Sequence, residues 1–212
     1  MAQVERLRVI AFVLLTLGSG ATDAIAFLGL GGTFTANMTG NLVLIGLVGR
    51  ADYPGTAIRA TVACVAFAGA LYLGFRITRV RLLLWIELAL QAVFLVVWWL
   101  AGASLSPDQM IGLIVLSSLA MGVQTAAVRQ LKSTSGITTT FVTGTLTSLM
   151  EGEARGKRGG NASRVAVVLA LVMGALLGAI ALKVVPKVAP TLAPLAVLGA
   201  GFLLGERHTL AR

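Results

Sequence analysis

The chain has 212 residues, 57% of them hydrophobic and 12% charged, against about 25% charged in soluble domains. Its mean hydropathy of +0.92 and its recurrent apolar runs of roughly 18 residues exclude an ordinary soluble fold and mark a membrane protein. The net charge of +9 would suggest nucleic acid in a soluble protein, but the basic residues lie mostly between apolar runs, as the positive-inside rule requires, so no nucleic-acid partner is expected.

At the N-terminus, Arg6 and Arg8 precede the run VIAFVLLTL, and the small residues GSGA follow. The pattern imitates a secretory signal, but apolar sequence resumes with AIAFLGL, so an uncleaved first membrane helix is expected. Six long apolar segments follow one another at approximately 8–29, 57–75, 82–102, 109–128, 164–182 and 188–205. Each is long enough to cross a ~30 Å hydrocarbon core at about 1.5 Å per residue. Two shorter segments, approximately 35–49 and 139–150, follow the helix-breaking stretches GLGG and STSG.

The two halves of the chain resemble each other. Thr39-Gly40 matches Thr143-Gly144, and Ala70-xxx-Gly74 matches Gly174-xxx-Gly178, both at an offset of 104 residues. GATDA at 20–24 matches GVQTA at 122–126. The chain therefore reads as a single membrane domain, 1–212, with one repeat at about 1–104 and a second at about 105–212.

Charge decides between topologies. If the two short segments enter and leave on one side, Arg6, Arg8, Arg76, Arg79, Arg81, Arg129, Lys132, Arg155, Lys157, Arg158, Arg164, Arg207 and Arg212 share one face. Arg50, Arg59, Lys183 and Lys187 share the other. That bias is far stronger than eight full spans would give, and it sets both termini in the cytoplasm. The expected fold is all-α and polytopic. It has about six transmembrane helices plus two short re-entrant half-helices, in an inverted 3+3 repeat.

In that arrangement the polar stretches TFTANMTGN (33–41) and ITTTFVTGT (137–145) become two helix starts that approach each other at mid-depth. Free N–H groups and the positive dipole end gather at a helix start. In a bilayer such backbone is tolerated only inside protein or beside a water-filled cavity. The candidate solute-binding residues are Thr35, Asn37, Thr39, Gly40 and Asn41 in the first half. In the second they are Gln124, Thr139, Thr140, Thr143, Gly144 and Thr145. The same hydroxyls and amides serve equally as helix caps.

Asp23 lies deep in the first segment, where an acid costs about 2.5–3.5 kcal/mol. It is the candidate ion-coupling residue, for a proton or Na⁺, or else an acceptor for nearby loop backbone. Its counterpart in the second half is Thr125. Glu87 is expected to pair with Arg76, Arg79 or Arg81. The small-xxx-small pairs are expected to hold the repeats together or to form a dimer face. Trp85, Trp98 and Trp99 fit interfacial anchors. With Cys64 the only cysteine and His208 the only histidine, no metal site and no cofactor are expected.

The stretch GATDAIAFLGLGGTFTANMTGNLVLIG resembles the N-terminal signature of the YoaK-type bacterial membrane proteins, a family catalogued as a domain of unknown function. Gly20, Asp23, Ala24, Phe34, Asn37, Thr39, Gly40 and Asn41 carry the likeness. In the second half it rests on Gly122, Gln124, Ala126, Thr140, Val142, Thr143, Gly144, Leu146 and Thr147. Thr125 departs from the family's Asn. The resemblance implies a bacterial inner-membrane protein with about six spans and no established activity.

The functional expectation is a small secondary transporter of a small polar or anionic solute, bound between the two helix starts. A channel with a fixed polar constriction is the alternative, followed by a non-transporting assembly or sensor protein. No nucleophile–base pair stands out, so an enzyme is not expected. The expected partners are the lipid bilayer, the solute and, as a candidate assembly, a second copy of the chain.

Overall fold

The computed structural model describes residues 2–101, 105–131, 142–156 and 161–205. All regular structure among them is helical. In chain order the helices are α1 (Ala2–Gly29), α2 (Met38–Gly46), α3 (Tyr53–Arg76), α4 (Val80–Ala101), α5 (Pro107–Gln130), α6 (Val142–Ala154), α7 (Asn161–Val184) and α8 (Leu192–Gly205). Among the described residues, α1, α3, α4, α5 and α7 are long and apolar enough to cross a membrane. The protein is a polytopic, all-helical membrane protein.

The expected sixth span is shorter than the sequence suggests. A 3₁₀ turn, Ala189–Thr191, precedes the 14 residues of α8. Pro190 and Pro194 sit at this entry, where a missing N–H is harmless at a helix start but stops the helix from extending backward. Of the two short segments, the first is also shorter than read. The first forms only the nine residues Met38–Gly46, about 14 Å of helix, because residues 33–37 are spent on a non-helical return.

Two buried clusters fix the helix directions. One gathers Phe12 and Leu15 of α1, Ala70 of α3, Leu83 and Leu84 of α4, Ala126 and Val128 of α5, Val167 of α7 and Leu204 of α8. The other gathers Ala26 and Leu30 of α1, Ala63 of α3, Phe94 of α4 and Leu113 and Ile114 of α5. The first cluster takes the early residues of α1, α4 and α7 and the late residues of α3, α5 and α8. Successive long helices, with α8 as the sixth, therefore alternate in direction.

Small residues set the closest approaches. In α7, Gly174 lies against Leu17 and Gly178 against Ala21 of α1, so these two helices run parallel. Gly20 in turn lies against the backbone of Leu171 and Ala175. The same pattern joins α5 to α3: Gly122 lies against Phe67 and Leu71, and Gly74 against Ala126. Phe67 and Leu71 are each 104 residues before Leu171 and Ala175, so the two seams use matched positions. At Gly20, Gly122, Gly174 and Gly178 a Cβ would meet backbone, which does not yield, and at Gly74 it would meet the Ala126 Cβ. The small-xxx-small pairs thus join the first helix of each half to the third helix of the other.

The first helix of each half is also the most enclosed. α1 packs on α7 and α8, while α5 packs on α3 and α4. That is why thirteen of the 24 residues of α5 are buried whereas α3 and α7 leave broad apolar faces such as Val65, Leu73, Leu169 and Val172 exposed, as lipid-facing surfaces require. Trp85 and Trp99 are open at the surface. Trp98 stacks on Phe94 and donates its indole N–H to the Pro186 carbonyl at 2.9 Å.

Candidate functional site

The chain after α1 turns back beside its own helix. Gly31 and Gly32 adopt φ of 75° and 74°, a region open to glycine at little cost. Residues 33–36 then descend to the level of Asp23, six residues or about 9 Å below the end of α1. There Asp23 Oδ1 accepts the backbone N–H groups of Thr35 at 2.8 Å and Ala36 at 2.7 Å. Helix α2 climbs back from this point. Tyr53, at the start of α3, donates its hydroxyl to the Ile45 carbonyl at 2.9 Å. Arg59 of α3 reaches the Gly31 carbonyl at 3.0 Å and pairs with Asp52 at 2.7 Å. The ends of the excursion therefore meet at one end of the bundle.

The start of α2 is pinned by its own side chains. Asn37 is the N-cap, and its side-chain oxygen accepts the Gly40 N–H at 3.2 Å. Asn41 is fully buried. Its amide donates to the Phe34 carbonyl at 2.7 Å and accepts the Phe34 N–H at 3.0 Å, so one side chain satisfies both polar groups of a non-helical residue. The Phe34 ring stacks on Phe27 of α1, with centroids 4.7 Å apart. A Cβ on Gly40 would lie 2.8 Å from that ring, which explains the glycine.

A cavity of about 750 Å³ opens beside this construction, between α1, α2, α6 and α7. Its size suits a small-molecule site. Its polar lining among the described residues is Ser19, Asp23, Asn37, Thr39 and Thr143, with Phe27, Phe34 and Leu171 as the larger apolar walls. Thr39 and Thr143 occupy matched positions at the starts of the two short helices, so one cavity is bordered by both.

The other sequence-stretch candidates are placed differently. Thr35 is fully buried and its Oγ1 accepts the Ser117 hydroxyl at 2.9 Å. Gln124 is buried and donates to the Leu15 carbonyl at 3.3 Å, joining α5 to α1. Thr145 is buried at 1% exposure and Gly144 is open, with nothing within 4 Å of a Cβ placed there. Thr139 and Thr140 lie outside the described residues. Asp23 does what its second reading required, as acceptor for loop backbone, and it also borders the cavity. Ser19, Phe27 and Phe34 are lining residues that site reasoning from the sequence passed over. The signal for Ser19 was a hydroxyl one helical turn before Asp23, on the same face of α1.

Glu87 corrects its expectation. It is completely buried and, among the described residues, pairs with no arginine; its Oε1 accepts the Gln91 amide at 3.0 Å one turn along α4. The reason is rotational: Glu87 shares a helix face with Leu83, Leu84 and Gln91, all buried, and that face points into the bundle.

Comparison with known proteins agrees with this architecture. Residues 11–204 match the family model described as a protein of unknown function, DUF1275. The UPF0700 transmembrane protein YoaK of Bacillus subtilis (strain 168) is 37% identical over 144 residues. That alignment spans 65% of this chain and 64% of the relative, so it covers somewhat less than two thirds of either. No solved structure matches the chain significantly. With a match running from the first core residues of α1 to the end of α8, the chain belongs to the DUF1275 family of membrane proteins of unknown function.

Proposed function

We propose that the protein is a small secondary transporter of a small polar or anionic solute, and not an enzyme. The carrying observation is that Asn37 and Thr39 at the start of α2, Thr143 at the start of α6, and Asp23 all border one cavity. Two helix starts offer N–H donors and positive dipole ends to the same space. Asn37, Thr39 and Thr143 would contact the solute. Asp23, which ties the re-entrant segment to α1, would couple its position to a proton or Na⁺. Thr35, Asn41 and Gln124 would hold the scaffold, with Gly40 and Gly144 keeping the approach clear.

The reading includes an inverted 3+3 repeat in a bacterial inner membrane, with both termini cytoplasmic. Support comes from the alternating helix directions and the matched glycine seams. Alternating access would arise from the two seam-linked units, α1 with α7 and α8, and α5 with α3 and α4, rocking against each other. A lipid bilayer is the environment, and a second copy of the chain is a candidate partner through the exposed apolar faces.

Transport is tested by uptake into proteoliposomes across a panel of small polar and anionic solutes, with and without proton and Na⁺ gradients. Saturable, gradient-dependent uptake is expected, and Asp23→Asn should abolish concentrative uptake while sparing exchange. Wild-type coupled uptake in that variant contradicts the role of Asp23. Non-saturating flux supports a channel, and no flux across the panel supports a non-transporting protein. The topology has a separate test: in a Cys64→Ser background, single cysteines at Arg6 and Arg50 should react with an impermeant reagent from opposite faces. Full crossing by residues 35–49 would place them on the same face.

A further inference from the structure

A second polar cluster is buried in the bundle, away from the open cavity. Its centre is Glu87 of α4, fully buried, with Gln91 one turn along at 7% exposure. Gln91 donates its amide to Glu87 Oε1 at 3.0 Å. Glu87 Oε2 and Gln91 Oε1 have no hydrogen-bond partner. Beside Gln91 is a small chamber of about 20 Å³, bordered by Thr22 of α1 and Ser117 of α5, with Phe94, Met121 and Pro190 among its apolar walls. That volume admits one water, and three polar side chains are enough to hold it. It offers too few oxygens for a hard cation such as Ca²⁺ or Na⁺.

From Ser117 the polar path continues outward. Its hydroxyl donates to Thr35 Oγ1 at 2.9 Å, and the Thr35 N–H donates to Asp23 Oδ1 at 2.8 Å. The buried acid is therefore joined to the peptide that turns the re-entrant segment, through Gln91, the chamber, Ser117 and Thr35. An acid carried deep in a membrane helix without a counter-charge is costly and is a functional group by default. Among the described residues no ion pair reaches Glu87 to offset that cost. On α5, Asp108 and Arg129 lie at the two ends of the helix. On α8, residues Leu192–Gly205 contain no titratable group. Along α4 itself the nearest is Arg81, six residues toward the start, and on α1 Asp23 is engaged by Thr35 and Ala36.

We propose that Glu87 is a membrane-buried proton-binding site whose occupancy is read by the re-entrant segment through Gln91, the chamber water, Ser117 and Thr35. The proton arrives from a hydronium ion by way of the chamber water and forms the Oε2–H bond, leaving a neutral acid and a water. Once protonated, Oε2 changes from acceptor to donor. Gln91, which is bonded to Glu87 and borders the chamber, would carry that change to a water held there, and through it to the Ser117 hydroxyl and its bond to Thr35. The inference deepens the transport reading, in which a proton sets the position of the segment that borders the solute cavity, and its site is distinct from Asp23.

The test is pH-difference infrared spectroscopy on the full chain in liposomes, which requires no knowledge of the solute. A protonated-carboxyl band should grow as pH falls. One component of that band should be lost in Glu87→Gln and retained in Asp23→Asn. Glu87→Asp should move that component, which keeps the assignment testable if the glutamine variant folds poorly. Ser117→Ala should displace its midpoint by about one pH unit, a tenfold change in proton affinity. A band unchanged in Glu87→Gln, or no acid band at any pH at which the chain stays folded, overturns the site. A midpoint unchanged in both Ser117→Ala and Thr35→Val overturns the link to the re-entrant segment. If the band titrates as expected and no solute gives flux, the transport reading fails while the proton site stands.

Discussion

The starts of α2 and α6 occupy matched places on a repeated scaffold, but the side chains beneath them differ. Under α2 stands Asp23, which reaches across to two backbone N–H groups. In the second half the matched residue is Thr125, a hydroxyl in place of a carboxylate, which donates to the Met121 carbonyl at 2.8 Å. The seams behind them are nearly the same: Gly20 on Leu171 and Ala175, Gly122 on Phe67 and Leu71. The two seams therefore share their packing residues, whose tolerance is a few tenths of an ångström, while the polar residues at the matched positions differ. The divergence concentrates in the half that carries both Asp23 and Glu87.

The largest expected effects break the seams. Gly20→Ala and Gly122→Ala each place a Cβ against backbone of another helix, and each should destabilise the fold by about 2–3 kcal/mol. Thermal unfolding in detergent reads this. Gly69 and Gly112 have nothing within 4 Å of a Cβ, so Gly69→Ala and Gly112→Ala should be neutral or slightly stabilising, since alanine is the better helix former. A large loss for Gly20 but none for Gly122 would break the equivalence of the two seams.

Asp23→Ala comes next. It strips two buried backbone N–H groups of a charged acceptor, at a cost of roughly 2 kcal/mol. Thr125→Ala removes a neutral hydroxyl rather than a charged acceptor and should cost less, about 1 kcal/mol. Equal losses would show that the two sites are not divergent in the way described. Asn41→Ala should resemble Asp23→Ala, since it leaves both polar groups of Phe34 unpaired, again at roughly 2 kcal/mol. Proteolysis of residues 30–47 in the two variants should rise together.

The smallest effects compare the two Thr-Gly pairs. Gly40→Ala meets the Phe34 ring at 2.8 Å and should lower stability by about 1 kcal/mol. Gly144→Ala meets nothing within 4 Å and should lie within about 0.5 kcal/mol of wild type. A reversal of that order, read from the same melting curves, would place the crowding at the wrong half.

Much of this was legible in the sequence because membrane physics acts on composition. Span lengths, the two short polar-started segments and the depth of Asp23 follow from apolar runs and from the positions of charges. The cross-half seams were only half legible. Ala70-xxx-Gly74 and Gly174-xxx-Gly178 announce close packing, but nothing local names α5 and α1 as their partners. Asn41 looked like a solute ligand because a polar residue near a helix start has two uses, and only the position of Phe34 shows which one it serves. Glu87 was misread because proximity along the chain suggested Arg81, whereas helical rotation turns the acid inward. The start of the last span was placed too early because an apolar run does not show that Pro190 and Pro194 delay the helix.

The central claim is that the starts of α2 and α6 face one cavity. Cysteines at Thr39 and Thr143, in a Cys64→Ser background, test it with a short bifunctional thiol reagent on the protein in membranes. The account predicts an intramolecular cross-link between the two positions, formed at high yield and absent from either single-cysteine variant. Both cysteines reacting with a monofunctional reagent while no intramolecular cross-link forms would contradict it.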